Sequence, residues 1–501
     1  MAEVPAWRRR LVAATRSRCL WWGVLSATAL PPWHLLPALL FSVPGFLREI
    51  DSAPNWRIAA FRAWVFGFGL GVLGLYWITE PMFTEIADFW WLVPFADPLL
   101  SAAVAFYSII PALAAYFVRP GVGRIFIFAG AWILSNLLQQ FAFSGFPWNF
   151  WGTDWTLPGV LGNIFIQPAS TAGVYGLTFA TVLLASLPLF GRRGFAVLVV
   201  ALGAWGGYGL ARLQTSLPPT GVKLALVQPN FPVPGLYDRA SLLARWATLL
   251  NMSRAGLQAG ATAVVWPEGA SPWQLASDAG ARTALADVTG TTPVLAGGYR
   301  IVGPDDVRNS LTVTAGPTPP FATYDKWKLV PFGEYMPTWI PVKITPDVLG
   351  SGFTPGPGPR TISVSELPPF GPLICYEAIF TGEIVDTAHR PAWLLNITDD
   401  SWFGSSAGPQ QAFAAARLRA VEEGLPLARD ANSGISAMVD AFGRVNAFVR
   451  LNRQVVLLAE LPGALPVTIY AKFGLWVPFW LGFFSVVLGI LISRRGSLQK
   501  T

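Results

Sequence analysis

Leu373-Ile374-Cys375-Tyr376-Glu377 is the stretch on which the reading of this chain turns. With Pro372 it reads as the end of a β-strand that stops on a thiol, with a carboxylate two residues further on. Two other segments have the same form. Val264-Val265-Trp266-Pro267-Glu268 runs from an apolar strand into a carboxylate, and Tyr324-Asp325-Lys326-Trp327-Lys328-Leu329-Val330-Pro331-Phe332-Gly333-Glu334 carries two lysines and a glutamate. In α/β sheets ligands usually bind at the carboxyl ends of strands, so three such junctions can converge on one site. A thiol with a pKa of about 8.5 needs a base to take its proton and a cation to face developing negative charge. Glu268 and Lys326 can supply both, with no histidine or metal required. Taken singly each residue has a plainer reading: a Cys after two aliphatics is usually a small buried residue, and a Glu after Trp-Pro is often a helix cap.

Around these junctions, residues 214–468 alternate short apolar strands, Gly/Pro turns and helical stretches, the pattern of an α/β domain. Residues 222–228, 262–266, 293–297, 311–314, 372–375, 394–398 and 435–439 read as strands, and 239–258 and 410–423 as helices. Arg417 and Arg419, beside Glu422 and Glu423, read as a solvated or ion-paired helix face. The Pro/Gly-rich segment 349–360 reads as a loop.

Outside this region the composition changes. The chain has 501 residues, 53% of them hydrophobic, 23 Trp and a mean hydropathy of +0.47, which places a membrane class first. Apolar runs near 19–31, 34–47, 62–80, 97–118, 124–143, 164–190, 194–211 and 473–492 cross or nearly cross about 30 Å of hydrocarbon. The first two are interrupted by Pro31 and Pro32 and are read as two tight spans rather than one re-entrant hairpin. Ala27-Thr28-Ala29 imitates a signal-peptidase site, but further apolar runs follow at once and a retained first span is expected. The expected organisation is a membrane domain over 1–213 with about seven spans, a catalytic domain over 214–468, and a final span and tail over 469–501.

The net charge of +7 is spread in short clusters beside apolar runs rather than in one stripe, so it signals topology and not a nucleic-acid partner. Basic residues occupy the N-terminus, Arg48 to Arg62, Arg119 and Arg124, Arg192 and Arg193, and Arg494 and Arg495; the loops between them, 31–34, 80–90 and 144–163, hold no Lys or Arg. By the positive-inside rule this alternation puts residues from 214 onward on the extracytoplasmic side. Asn136, in the fifth run, reads as an interhelical hydrogen-bonding residue. Only two cysteines, Cys19 and Cys375, and two histidines, His34 and His389, are present. They allow no disulfide framework and leave little material for a His-based triad or a His-rich metal site.

Taken in order, Trp266-Pro267-Glu268, Tyr324-Asp325-Lys326 through Pro331-Phe332-Gly333-Glu334-Tyr335, and Cys375-Tyr376-Glu377 resemble the nitrilase, or carbon-nitrogen hydrolase, superfamily over roughly 221–460. That resemblance implies a Glu-Lys-Cys triad in a four-layer α-β-β-α sandwich. With the membrane spans, and with Gly145-Phe146-Pro147-Trp148-Asn149, Gln228-Pro229-Asn230, Asp400-Ser401-Trp402-Phe403-Gly404 and Asn432-Ser433-Gly434-Ile435-Ser436, nearly the whole chain resembles the apolipoprotein N-acyltransferase family. The resemblance implies Cys375 as nucleophile, Glu268 as general base, Lys326 as the cation beside the oxyanion, and Glu334 orienting the lysine or the thiol. Glu377, Tyr376 and Asn309 become supporting residues, and Tyr237, Trp402 and Phe403 substrate contacts. Family members often have His at the position of Lys328, which here puts a second cation near the site, and often carry Glu and Arg where this chain has Ser135-Asn136-Leu137-Leu138-Gln139-Gln140.

The reaction so implied takes an acyl chain from a phospholipid onto Cys375 as a thioester and passes it to the α-amino group of a diacylglyceryl-cysteine apolipoprotein. The expected partners are membrane lipid, the phospholipid donor and the apolipoprotein acceptor, with no nucleic acid, cofactor or metal. The expected form is a monomer in the bacterial cytoplasmic (inner) membrane with its catalytic domain outside the cytoplasm. A membrane-anchored amidase or nitrilase, releasing its acyl group to water, would use the same triad. A transporter or scaffold is disfavoured by the intact triad and by the scarcity of charged residues within the spans.

Overall fold

The computed structural model describes residues 18–84, 86–232, 238–338 and 352–498. The chain forms two compact units, Met1–Gln214 with Lys472–Thr501, and Thr215–Ala471.

In the first unit five helical segments among the described residues are long and apolar enough to cross a membrane: Trp56–Gly74, Val93–Tyr116, Val122–Phe141, Ala169–Arg212 and Trp476–Arg494. At 1.5 Å per residue, about 20 residues are needed. In the first two apolar runs the described helices are Cys19–Ala27, nine residues, and Leu39–Asp51, thirteen. Between them stand Pro31 and Pro32, which lack the N–H that a continuing helix needs. Ala169–Arg212 is two helices, Ala169–Ser186 and Gly191–Arg212, joined by a 3-10 turn at Leu187–Phe190.

Close packing in this unit depends on small residues. A Cβ on Gly489 would lie 2.4 Å from the Gly123 carbonyl oxygen, so Val122–Phe141 and Trp476–Leu498 approach backbone to backbone. Phe46 stacks on Phe66 at 4.1 Å and Trp132 on Trp151 at 4.5 Å between ring centroids. Asn136 does not bridge helices: its amide donates to Gln139 on the same helix, at 3.5 Å.

The second unit holds two six-stranded sheets. The first contains β1 (Pro219–Gln228), β2 (Ala263–Ser271), β3 (Val294–Gly303), β4 (Asp306–Thr314), β5 (Ala322–Asp325) and β12 (Val455–Pro462), in the order β12-β1-β2-β3-β4-β5. The second contains β6 (Ile362–Val364), β7 (Leu367–Ile374), β8 (Trp393–Thr398), β9 (Leu427–Ala431), β10 (Ser436–Val439) and β11 (Val445–Val449), in the order β11-β10-β9-β8-β7-β6. β1-β2-β3 and β7-β8-β9 are parallel at the centre of each sheet.

Leu224, Leu226, Val265 and Leu295 of the first sheet share one core with Phe370, Ile374, Leu395 and Ile397 of the second. On the far side of the first sheet, helices Arg239–Gln258 and Ala279–Thr289 bury Trp246, Leu249 and Leu285 against Ala225, Val227 and Val264. Helix Gly408–Glu423 covers the second through Ala416 and Ala420. The layers are therefore α-β-β-α. Strands covered on both faces are apolar without alternation, as Leu224-Ala225-Leu226-Val227 shows.

In helix Gly408–Glu423, Arg417, Arg419, Glu422 and Glu423 are all buried, so of the two expected readings the solvated one fails and the ion-paired one holds for Arg419 and Glu422. Arg419 pairs with Glu422 at 2.8 Å, and Arg417 donates to the Gly443 carbonyl at 2.6 Å. Tyr470, fully buried, shares Thr381 with Glu422, so the segment after β12 closes over the helix.

Candidate active site

Glu268 sits where β2 changes register against β3, between Trp266 and Ser271, and is buried. Lys326 directly follows β5; its backbone N–H donates to the Asn309 carbonyl on β4 at 2.9 Å, extending the β4–β5 pairing by one step and setting the two side chains together. Lys326 Nζ donates to Glu268 Oε1 at 3.0 Å and to Glu334 Oε1 at 2.8 Å. Asn309 Nδ2 spans the same two oxygens at 2.7 and 3.1 Å. The outer oxygens are also held, Glu268 Oε2 by the Asp399 N–H and Glu334 Oε2 by the Val330 N–H, each at 2.8 Å. Burial opposes charge on Lys326, but Glu268 and Glu334 together outweigh it and hold its pKa well above the ordinary lysine value. Lys326 is therefore a fixed cation between two carboxylates.

Cys375 directly follows β7 with a φ of +51°, a left-handed conformation that costs a residue with a Cβ roughly 1–3 kcal/mol. Glu377 holds this turn. Its Oε2 accepts from the Ile374 N–H at 2.6 Å and from Tyr324 Oη at 3.0 Å, and its Oε1 from the Trp327 N–H at 2.7 Å. One buried carboxylate thus ties the thiol's elbow to the segment bearing Lys326. Burial pushes the Glu377 pKa up to about 7, although the N–H groups of Ile374 and Trp327 pull against it. Burial also pushes the Cys375 thiol far up; the Glu268 carboxylate adds to this and the Lys326 cation opposes it. The resting sulfur is a protonated thiol, and it needs a base to become a nucleophile.

Lys328 is engaged elsewhere. Its ammonium lies 4.5 Å from the Trp327 ring centroid, 4.7 Å from that of Phe380 and 3.6 Å from a Glu383 oxygen, whereas Lys326 reaches both site carboxylates. Tyr376 is buried edge-on against Phe380. Trp402 is exposed and Phe403 half-buried on the 3-10 turn Asp400–Phe403 that follows β8. Tyr237 lies outside the described residues. Among the described residues no group of three or more His, Cys, Asp or Glu is placed to hold a metal ion.

Sequence reasoning assigned nothing to Thr398 or Arg429, and read Asp400 only as part of a supporting segment. All three are buried, Thr398 on β8 next to the thiol's strand and Arg429 one strand further on β9, and Arg429 pairs with Asp400 at 2.8 Å. A charged pair inside an otherwise apolar strand pattern was the available signal: Arg429-Asp430 within 427–431.

Two family models match the chain, the apolipoprotein N-acyltransferase N-terminal domain over residues 22–187 and carbon-nitrogen hydrolase over residues 223–465. The apolipoprotein N-acyltransferase of Rhodopseudomonas palustris is 35% identical over 93% of this chain and 92% of its own length. That of Bradyrhizobium diazoefficiens is 36% identical over 99% of this chain and 96% of its own. With both matched segments, the α-β-β-α unit and this near full-length identity, the chain belongs to the apolipoprotein N-acyltransferase family.

Proposed function

We propose that this chain moves an acyl chain from a phospholipid to the α-amino group of the N-terminal diacylglyceryl-cysteine of apolipoproteins, through a thioester on Cys375. The observation that carries the reading is Cys375 itself: a buried thiol on a left-handed elbow, facing a carboxylate and a lysine cation, in a chain related over its whole length to such enzymes.

In the first half-reaction Glu268 takes the Cys375 proton as the sulfur attacks the ester carbonyl. Lys326 faces the tetrahedral oxyanion. Collapse breaks the ester C–O bond, the leaving lysophospholipid oxygen takes the proton back from Glu268, and the acyl group remains on sulfur. In the second, the acceptor amine loses a proton to Glu268 as it attacks, and the departing sulfur is reprotonated. Glu334 and Asn309 hold the lysine and the base at fixed separation, so little reorganisation accompanies the charge movement. Glu377 and Tyr376 support the elbow, and Trp402, Phe403 and Tyr237 serve the substrates.

The reading extends to a monomer in the cytoplasmic membrane, with about eight spans, membrane segments over 1–213 and 469–501, and the catalytic domain over 214–468 outside the cytoplasm. Both substrates are anchored in lipid, and a catalyst fixed to the membrane need not lift their chains into water, at about 0.8 kcal/mol per exposed CH₂. The test is intact-mass measurement after incubation with phospholipid, expecting one acyl adduct that maps to Cys375 and disappears when a diacylglyceryl peptide is added, with amide formed. Absence of the adduct, or release of free fatty acid in place of amide, would overturn the proposal.

A further inference from the structure

Glu268 has two oxygens that could take a proton, and their surroundings differ. Oε1 accepts from Lys326 Nζ at 3.0 Å and from Asn309 Nδ2 at 2.7 Å, which occupies both of its lone pairs. Among the described residues Oε2 accepts only from the Asp399 N–H, at 2.8 Å, and keeps one lone pair. The base therefore receives its proton on Oε2, and the peptide joining Thr398 to Asp399 decides where that oxygen stands.

The same peptide is held from its other side. In a trans peptide the C=O and N–H point in opposite directions, and here the Thr398 carbonyl accepts from the Asn432 N–H at 3.0 Å while the Asp399 N–H reaches Glu268. The Asn432 side chain adds a second hold, Nδ2 donating to Asp399 Oδ1 at 3.1 Å, where the Ser401 N–H also binds. Asn432 is in turn fixed to the loop after β1. Its carbonyl accepts from the Asn230 N–H at 2.9 Å, its Oδ1 from the Phe231 N–H at 2.8 Å, and its Nδ2 donates to the Phe231 carbonyl at 2.9 Å. Asn432 is buried, and each of its three N–H protons has a separate acceptor.

We propose that Asn432 is a positioning residue for the general base: it ties the Thr398–Asp399 peptide to the loop after β1 and so fixes Glu268 Oε2 where the Cys375 proton arrives. Lys326 and Asn309 act on Oε1 alone, and a carboxylate held at one oxygen can still swing the other. The hold on Oε2 removes that freedom. A general base works over about 2.6–3.2 Å, so a displacement of about 1 Å takes it out of range.

The inference rests on Glu268 being the base, and its test uses an ester in place of phospholipid. With p-nitrophenyl butyrate the Cys375 sulfur bonds to the acyl carbon, nitrophenolate leaves as the anion, and the thiol proton passes to Glu268 Oε2. The burst of nitrophenolate from the detergent-solubilised full chain reads that step. Asn432→Ala should slow the burst about tenfold at saturating ester and leave the half-saturating concentration within about twofold of the parent's. Asn432→Asp has the same size and keeps an acceptor for Phe231, but it loses both amide protons and should slow the burst at least as much. In a Glu268→Gln background neither substitution should change the rate by more than about twofold, because residues that act as one unit are not additive. A full loss in both backgrounds would assign Asn432 to the stability of the fold and overturn the proposal, as would a burst as fast as the parent's in either single variant. If Glu268→Gln itself kept the parent's burst, the base and its positioning would fall together. A parent that takes its acyl group from the ester but none from phospholipid would sink the proposed function and leave the role of Asn432 standing.

Discussion

Replacing Lys326 with methionine keeps a long unbranched side chain but removes the charge, leaving Glu268 and Glu334 to face each other across Asn309. Both carboxylate oxygens lie within 3.0 Å of Nζ, at 3.0 and 2.8 Å. They are therefore no more than about 6 Å apart, where two unit charges at an effective dielectric of about 20 repel by about 3 kcal/mol. That falls at the lower end of the roughly 3–5 kcal/mol lost when a buried ion pair is broken from one side. Adding Glu334→Gln removes the second charge. Denaturant unfolding of the detergent-solubilised protein should show Lys326→Met less stable than the parent by about 3 kcal/mol at pH 8. The double variant should recover most of that loss, while neither variant forms acyl-enzyme. Equal stability of single and double variants at pH 8 would refute the electrostatic argument, and normal acylation by the double variant would refute the role given to the cation.

Glu268→Gln should leave the fold intact and slow thioester formation by about 10² or more, measured by adduct growth in intact mass; near-normal acylation would make Glu268 structural. Cys375→Ser should abolish both half-reactions while membrane insertion persists, and Cys19→Ser should change neither, as read by adduct mass and amide yield. For Glu377 the folded pKa of about 7 stands above the ordinary 4.5, so its contribution to stability is fully present below 4.5 and lost as pH rises to about 7. Glu377→Gln, which does not titrate, should therefore gain on the parent by up to about 3 kcal/mol between pH 4 and pH 8, and a pH-independent difference between the two unfolding curves would contradict this.

The legible parts of the chain were those where apolar pattern and chemistry coincide. The seven expected strands correspond to β1, β2, β3, β4, β7, β8 and β10, and the three junctions at Glu268, Lys326 and Cys375 meet in one cluster. What escaped depends on tertiary neighbours. β5, β6 and β11 are short and lie at or beside a sheet edge, and β9 carries Arg429 and Asp430, a pattern that argues against a buried strand until Asp400 is seen to receive the arginine. For Arg417 and Arg419 the sequence left a solvated and an ion-paired face open, because nothing local announces that the distant carbonyls of Gly443 and Ile379 will receive them in the interior. Glu377 was visible as a carboxylate near the thiol, but its three donors come from 324, 327 and 374, and only the pairing of the two sheets assembles them.

The placement of β12 beside β1 also bears on how the chain is made. Leu224 pairs with Ala459, so the outer edge of β1 stays without its partner while about 235 further residues are synthesised, on the order of ten to fifty seconds at ordinary translation rates. During that interval β1 presents unpaired backbone groups along Leu224-Ala225-Leu226-Val227, a neutral apolar template of the kind that recruits foreign strands. The catalytic unit is thus vulnerable to aggregation as a nascent chain in a way its finished form is not. Truncations that stop before residue 455 should be insoluble for that reason, however complete their site residues are.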